Sequence, residues 1–132
     1  MTLVDTNIVI DVIAGDSAWY PWSSRSLERA AAAGPILVNE IAYAELAHRV
    51  ANEADLQSAL ESIGLSLARA SESALFRAGR AHAAYRAAGG PRTSLLADFF
   101  IGAHAEAAGL AILTRDPRRY RTYFPDVPLI TP

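Results

Sequence analysis

The stretch Ala111-Ile112-Leu113-Thr114-Arg115-Asp116 contains the clearest β-strand pattern of the sequence, a short apolar run that ends two residues before an acid. A helical pattern over residues 95–108 precedes it, and a short helical turn over residues 118–123 follows it. Because strands that alternate with helices are typical of βαβ units, the sequence predicts an α/β fold with a short central parallel sheet flanked by helices. The other predicted strands are short apolar runs at residues 3–4, 36–38, 65–67 and 127–130.

Polar residues mark where the predicted helices begin. A Ser, Thr or Asn just before a helical pattern can accept a hydrogen bond from a backbone N–H of the first turn. One such helix follows the aromatic run Trp19-Tyr20-Pro21-Trp22 and continues to about Ala33. The expected N-caps are Ser23 or Ser24, Asn39, Ser71, and Thr93 or Ser94.

Length and composition exclude several classes of protein. The 132 residues correspond to a single domain over residues 1–132, and 52% of them are hydrophobic, enough to bury a core. The absence of cysteine excludes disulfides, thiolate zinc sites, iron–sulfur clusters and cysteine nucleophiles. All 12 basic residues are arginine, which excludes a Schiff-base lysine and a Walker-type phosphate loop. The available chemistry therefore rests on carboxylates, hydroxyls and arginine.

Charge is unevenly distributed along the chain although the net charge is only −2. Residues 1–66 carry nine acids and three arginines, whereas residues 67–132 carry five acids and nine arginines. This asymmetry is compatible with an anionic polymer that meets a carboxylate cluster, and ordinary helix surfaces explain it as well. No apolar run approaches the ~18 residues of a membrane span, and no secretory signal is visible, so we expect a cytoplasmic protein without membrane association.

Four acids lie where a shared site can form. Asp5 ends the first strand, Asp116 lies two residues beyond Thr114, Asp98 lies in the first turn of a helix, and Glu45 interrupts an apolar helix face. The carboxyl ends of parallel strands meet at one edge of a sheet, which is where ligands bind. Carboxylate oxygens suit Mg²⁺ or Mn²⁺, and the matching chemistry is phosphodiester hydrolysis.

Each of these acids also has a purely structural explanation. Asp5 and Asp116 are of a type that often forms turns or caps helices. Asp98 can complement the helix dipole, and Glu45 faces solvent if the helix is phased differently. Spacing alone leaves the metal site and these explanations equally open.

Four segments carry a family resemblance. They are Leu3-Val4-Asp5-Thr6-Asn7, then residues 36–46 with Glu45, then residues 96–105 with Asp98, and finally Ile112-Leu113-Thr114-Arg115-Asp116. Their order and content resemble the four motifs of PIN-domain ribonucleases, specifically the VapC-type toxins of bacterial toxin–antitoxin pairs. The segments span nearly the whole chain, and its length fits the family.

The resemblance implies a PIN-like fold and a Mg²⁺- or Mn²⁺-dependent endoribonuclease. Asp5, Glu45, Asp98 and Asp116 would be the catalytic, metal-holding acids. Asn7 and Thr114 would orient the carboxylates or the attacking water. Glu40 competes with Glu45 but lies about 140° away around the helix, so both cannot point the same way; the motif and the apolar flanks favour Glu45.

Further expectations concern substrate and partners. Arg92 and Arg115 are candidate contacts to RNA phosphates, since arginine can bind phosphate bidentately; surface solvation explains each equally well. The resemblance implies a homodimer and a VapB-type antitoxin that lies across the toxin. The aromatic cluster Trp19, Tyr20 and Trp22 fits either an exposed partner surface or a cover for the core.

Other classes of function can be compared with the sequence. The alternative from a different class is a PIN-like module that binds RNA or protein without significant catalysis. A haloacid-dehalogenase-like phosphatase and a receiver-type signalling domain both need a lysine, which this chain lacks. The phosphatase also needs an acid where the chain has Asn7.

Overall fold

The structure is a computed structural model of the chain and describes residues 1–15, 18–92 and 96–132. None of the helices in these ranges is both long and apolar enough to cross a membrane. The strands are β1 (Thr2–Val4), β2 (Ile36–Asn39), β3 (Leu65–Ala68), β4 (Ala111–Leu113) and β5 (Leu129–Ile130). The helices are α1 (Thr6–Ala14), α2 (Tyr20–Ala33), α3 (Glu40–Leu46), α4 (Glu53–Ile63), α5 (Glu72–Ala87), α6 (Ala97–Ala108) and α7 (Arg118–Tyr123), with a 3₁₀ turn at Ala47–Arg49.

The five strands form a parallel sheet in the order β3-β2-β1-β4-β5. The chain lays β1, β2 and β3 side by side, and then returns to add β4 and β5 on the other side of β1. Parallel neighbours need long crossover connections, which the helices provide. The order of the strands therefore reverses between β1 and β4, and the predicted α/β fold with a short parallel sheet flanked by helices is confirmed.

The sheet separates two apolar cores. Successive strand residues point to opposite faces, so Leu3 and Ile112 pack with α5, α6 and α7, while Val4 and Leu113 pack with α1 to α4. All of β1 is buried because it is the central strand and is covered on both faces. Its continuous apolar run is typical of a parallel sheet.

Two of the predicted helix caps are present. The Asn39 side chain accepts a hydrogen bond from the Ala42 backbone N–H (2.9 Å) at the start of α3. Ser71 accepts one from the Ala74 N–H (3.1 Å) at the start of α5. Both interactions satisfy a backbone donor that the helix itself leaves without a partner.

The predicted cap at Ser23 or Ser24 is wrong. Helix α2 already begins at Tyr20, because Pro21 fits the first turn, where a missing backbone N–H is not needed. Ser23 is fully buried inside the helix, and its hydroxyl donates to Asp11 (2.8 Å). The predicted caps Thr93 and Ser94, with Leu95, lie outside the described residues.

Helix α6 approaches α7 closely at Gly102. A Cβ atom at this position would collide with the ring of Phe124, which is buried and has little room to move. We therefore expect Gly102→Ala to lower the free energy of unfolding by about 1–3 kcal/mol, although alanine is the better helix former.

Gly79 in α5 provides the matched control, because a Cβ there meets nothing within 4 Å. Gly79→Ala should raise the free energy of unfolding by about 0.5–1 kcal/mol. Urea denaturation of both variants measures the difference. Equal effects would show that the contact with Phe124 does not restrict residue 102.

Candidate active site

The pairing of β1 with β4 places Asp5 beside Thr114. Val4 lies opposite Leu113, and the Asp5 backbone N–H donates to the Leu113 carbonyl (3.0 Å). The residues that follow the two strands are therefore neighbours, and Thr114 Oγ1 donates to Asp5 Oδ2 at 2.7 Å. A crevice at the point where the strand order reverses is where open α/β sheets bind ligands.

Three side chains donate hydrogen bonds to the same oxygen of Asp5. Besides Thr114, the Asn7 amide Nδ2 and the Tyr120 hydroxyl each lie 3.1 Å from Oδ2. Asp5 is only 5% exposed. The three donors hold its carboxylate in one orientation, and they include both residues, Asn7 and Thr114, that were expected to orient the acids.

Tyr120 is a residue that the sequence analysis missed. It is fully buried. Burial is the main reason why the pKa of its hydroxyl is raised well above the ordinary range, and the charges of Asp5, Asp98 and Glu45 raise it further. Asp5 accepts a hydrogen bond from this hydroxyl, and the charges of Asp98 and Glu45, which lie on two other elements, also act on it. The sequence does contain one signal for this role. Tyr120 lies on the short helix after Asp116, and a tyrosine hydroxyl that becomes buried needs a hydrogen-bond partner.

The Asp5 carboxyl carries an unfavourable charge. Its pKa is raised to about 6, first by burial and also by the charge of Asp98, against the lowering effect of the hydrogen bonds from Thr114 and Tyr120. A buried carboxylate beside a second carboxylate is stabilised in its charged form by a nearby cation.

Arginines of α7 bind the other two aspartates. Arg119 Nη1 donates to Asp98 Oδ2 at 2.9 Å. Arg118 donates through two nitrogens to Asp116 (3.0 and 3.2 Å), and these hydrogen bonds are the main reason why the pKa of Asp116 is lowered. The side chain of Asp116 thus contacts Arg118, whereas the backbone N–H of Asp116 donates to Thr114 Oγ1 (3.1 Å).

The acids therefore converge only in part. Asp5 contacts the Tyr120 hydroxyl, the charges of Asp98 and Glu45 act on that hydroxyl, and Asp116 pairs with Arg118. Within residues 1–15, 18–92 and 96–132, no three His, Cys, Asp or Glu side chains are grouped to hold a metal ion. The candidate donors are nevertheless all carboxylate oxygens, and burial, with a smaller contribution from the charge of Asp98, raises the pKa of Asp5, so that a cation beside it would be favourable. The residues therefore fit Mg²⁺ or Mn²⁺ by their chemistry.

Glu40 and Glu45 make different contacts. Both carboxylate oxygens of Glu40 accept from the Ala70 backbone N–H (3.1 and 3.0 Å), which ties the start of α3 to the loop after β3. Glu45 is half-buried, and its charge acts on Tyr120. The structure thus gives Glu40 a contact with the backbone, and Glu45 stays the predicted acid of the site.

The two arginines predicted to contact phosphate differ in their surroundings. Arg115 donates through Nε and Nη2 to the buried Asp11 (3.0 and 3.2 Å), which ties the loop after β4 to α1. A phosphate contact would therefore use Nη1 of Arg115. Arg92 is exposed, and its backbone N–H donates to the Tyr85 hydroxyl (3.4 Å).

The aromatic cluster is divided between core and surface. Trp22 packs against the core on the side of α1 to α4, while Trp19 and Tyr20 are 39% and 41% exposed. The Trp19 and Trp22 rings meet edge to face, with 6.1 Å between their centroids. Tyr20 lines a cleft of about 260 Å³ with residues that include Val12, Leu27 and Ile63. Trp22 thus covers the core, and a partner surface at Trp19 and Tyr20 stays a prediction.

Comparison with known proteins gives one family and one fold. The model of the PIN domain matches residues 2–125. The chain is similar in structure to VapBC2 from Rickettsia felis bound to a DNA fragment from its promoter, with a TM-score of 0.72 and 21% identity over 98% of this chain and 97% of that chain.

Two further structures are similar. A toxin–antitoxin complex from Klebsiella pneumoniae has a TM-score of 0.69 and 21% identity over 99% of this chain and 97% of that chain. FitAcB from Neisseria gonorrhoeae has a TM-score of 0.64 and 20% identity over 98% and 96%. At these identities the likeness concerns the fold. No curated protein has significant sequence similarity to the chain.

The raised pKa of Asp5 predicts how pH affects stability. The pKa lies at about 6 in the folded chain and at 3.8 ordinarily, so ionising Asp5 costs folding free energy as the pH rises through this interval. Asp5→Asn removes the cost. We expect the variant to be more stable than the parent by up to about 3 kcal/mol at about pH 7.5 and to be nearly equal at about pH 4.

Urea denaturation at both pH values, with a chelator present, measures this difference. A gain that is the same at both pH values would contradict the assignment of the charge cost to Asp5.

Proposed function

The chain belongs to the PIN-domain family, and on that basis we propose that it is a Mg²⁺- or Mn²⁺-dependent endoribonuclease and the toxin of a VapC-type toxin–antitoxin pair. The observation that carries the proposal is the buried Asp5 carboxylate, which Asn7, Thr114 and Tyr120 hold where the strand order reverses. The charges of Asp98 and Glu45 act on the same tyrosine hydroxyl. Grouped carboxylates in such a crevice suit hydrolysis of a phosphodiester with a divalent cation.

Each residue of the site has a proposed role. Asp5 and Asp98 would hold the cation, with Glu45 and Asp116 completing the set. The bound cation would activate a water molecule and stabilise the charge that develops on the phosphate oxygens. Thr114, Asn7 and Tyr120 keep the Asp5 carboxylate in place by their hydrogen bonds.

We propose RNA as the substrate because arginines surround these acids. Helix α7 carries Arg118 and Arg119 next to Asp116 and Asp98. Exposed Arg92 is held by its backbone to the Tyr85 hydroxyl. Such a surface attracts the phosphate backbone of a nucleic acid.

We further propose a VapB-type antitoxin, a homodimer and action in the cytoplasm. The complex from Klebsiella pneumoniae that resembles this chain is a toxin–antitoxin complex, which supports a similar partner. The cleft beside Tyr20, Leu27 and Ile63 is a partly apolar surface on which a segment of an antitoxin can dock. We also propose that residues 1–132 form a single PIN domain.

A PIN-like module that binds RNA without cutting it is the second candidate. The observation in its favour is that Asp98 and Asp116 pair with arginines, and that no metal-holding group of three side chains is present in the described part of the chain. Cleavage assays separate the two candidates.

Incubation of the purified protein with total cellular RNA tests the proposed function. We expect discrete fragments with Mg²⁺ or Mn²⁺ and none with EDTA. Glu45→Gln should reduce the cleavage rate by at least about 100-fold, as expected for a lost metal contact.

Glu40→Gln is the matched control. It removes the same charge from the same helix, but the Glu40 side chain contacts the Ala70 backbone. It should keep most of the activity. The reverse result would contradict the choice of Glu45. Absence of metal-dependent cleavage, once a co-purified antitoxin is excluded, would favour the binding module.

A further inference from the structure

Arg119 lies between an acid of the site and the rim of a polar cleft. Its guanidinium donates to Asp98 Oδ2 (2.9 Å) and lies 5.9 Å from the centroid of the Tyr85 ring. Tyr85 also receives the backbone N–H of Arg92. Arg119 is therefore positioned by two side chains, and one of these, Tyr85, also contacts Arg92.

The carboxylate that Arg119 contacts is one that a divalent cation needs. Asp98 is linked to Asp5 through neighbouring residues of α7, because Asp98 accepts from Arg119 and the next residue, Tyr120, donates to Asp5. Under the proposed function, both acids hold the cation. Two cations that approach the same carboxylate repel each other. The pair is partly open to water, with Arg119 40% and Asp98 30% exposed, so that its separation costs far less than that of a buried pair.

Arg119 also borders an open cleft. Asp116, Arg118 and Arg119 line this cleft, which has a volume of about 210 Å³. The planar fork of an arginine matches the oxygens of a phosphate. A phosphate in this cleft would meet two arginines. Arg118 is 85% exposed and donates to Asp116 through Nε and Nη2, so a phosphate would use its Nη1.

We propose that Arg119 is a phosphate-binding residue that exchanges partners: it pairs with Asp98 until a divalent cation takes that carboxylate, and then binds a phosphodiester of the RNA in the adjoining cleft. The inference rests on the proposed function and deepens it. It makes Arg119 a competitor of the cation and, at the same time, a contact of the substrate.

The two roles predict opposite effects of one substitution. Arg119→Gln should bind Mn²⁺ about five- to tenfold more tightly, because a positive charge next to the cation is removed. The variant should also bind RNA more weakly in the presence of Mn²⁺. The slope of log affinity against log salt concentration should fall by about 0.7, the value for one lost phosphate contact on a single strand.

Arg121→Gln is the matched control. Arg121 is exposed on the same helix, and its loss changes the net charge equally. Titration with Mn²⁺ followed by electron paramagnetic resonance measures the cation affinity. Fluorescence anisotropy with a labelled, cleavage-resistant phosphorothioate RNA and Mn²⁺ measures RNA binding, and circular dichroism checks the folding of each variant. Arg121→Gln should leave the salt slope unchanged and alter Mn²⁺ affinity by less than twofold.

The proposal requires both shifts in Arg119→Gln beyond those of Arg121→Gln. If the parent protein binds Mn²⁺ and RNA but either shift is missing, the partner exchange is overturned while the proposed function stands. If the parent protein binds neither Mn²⁺ nor RNA, the proposed function and this inference fail together.

Discussion

The hydrogen bond between Thr114 Oγ1 and Asp5 Oδ2 depends on the register of two parallel strands at the centre of the sheet. Because Val4 lies opposite Leu113, the first residue after each strand faces the other. A shift of one residue in either strand would turn the side chains of that strand to the opposite face of the sheet. The register also assigns Val4 and Leu113 to one apolar core, and Leu3 and Ile112 to the other. Core packing and site geometry are thus determined by the same pairing.

Electrostatics shape the rest of the site. Asp5 is buried beside Asp98, and the resulting pKa of about 6 indicates that its charge is only partly compensated by hydrogen bonds. Arg118 and Arg119 bring positive charge to the remaining aspartates from a helix of only six residues. The buried charge of Asp5 therefore lowers the stability of the folded chain, as is common where a protein positions charged groups for function. The same arginines are suited to an anionic substrate.

Much of the fold and site follows from local sequence. Strand ends, helix periods and caps such as Asn39 predict the alternating elements, and the position of Asp5 after a strand predicts its place in the crevice. Pro21 outweighs Ser23 as a helix start, and the buried side chain of Asp11 then gives Ser23 another partner. The family membership expected from four motifs is confirmed by the match over residues 2–125.

What sequence could not provide depends on long-range packing. Arg115 pairs with Asp11, 104 residues earlier, because α1 and the loop after β4 meet at the same edge of the sheet. Tyr120 reaches Asp5 only because α7 folds back over the core, which its six residues do not reveal. The choice between Glu40 and Glu45 depends in the same way on the neighbours of α3, among them the Ala70 backbone.

Anomalous diffraction from crystals soaked in Mn²⁺ tests the central claim, that these acids form a divalent-cation site, most directly. The account predicts a manganese peak bound by carboxylate oxygens of Asp5 and Asp98, with Glu45 facing it and Arg119 turned away from Asp98. A peak held elsewhere on the chain, or well-ordered Asp5 and Asp98 side chains without manganese at saturating concentration, would contradict it.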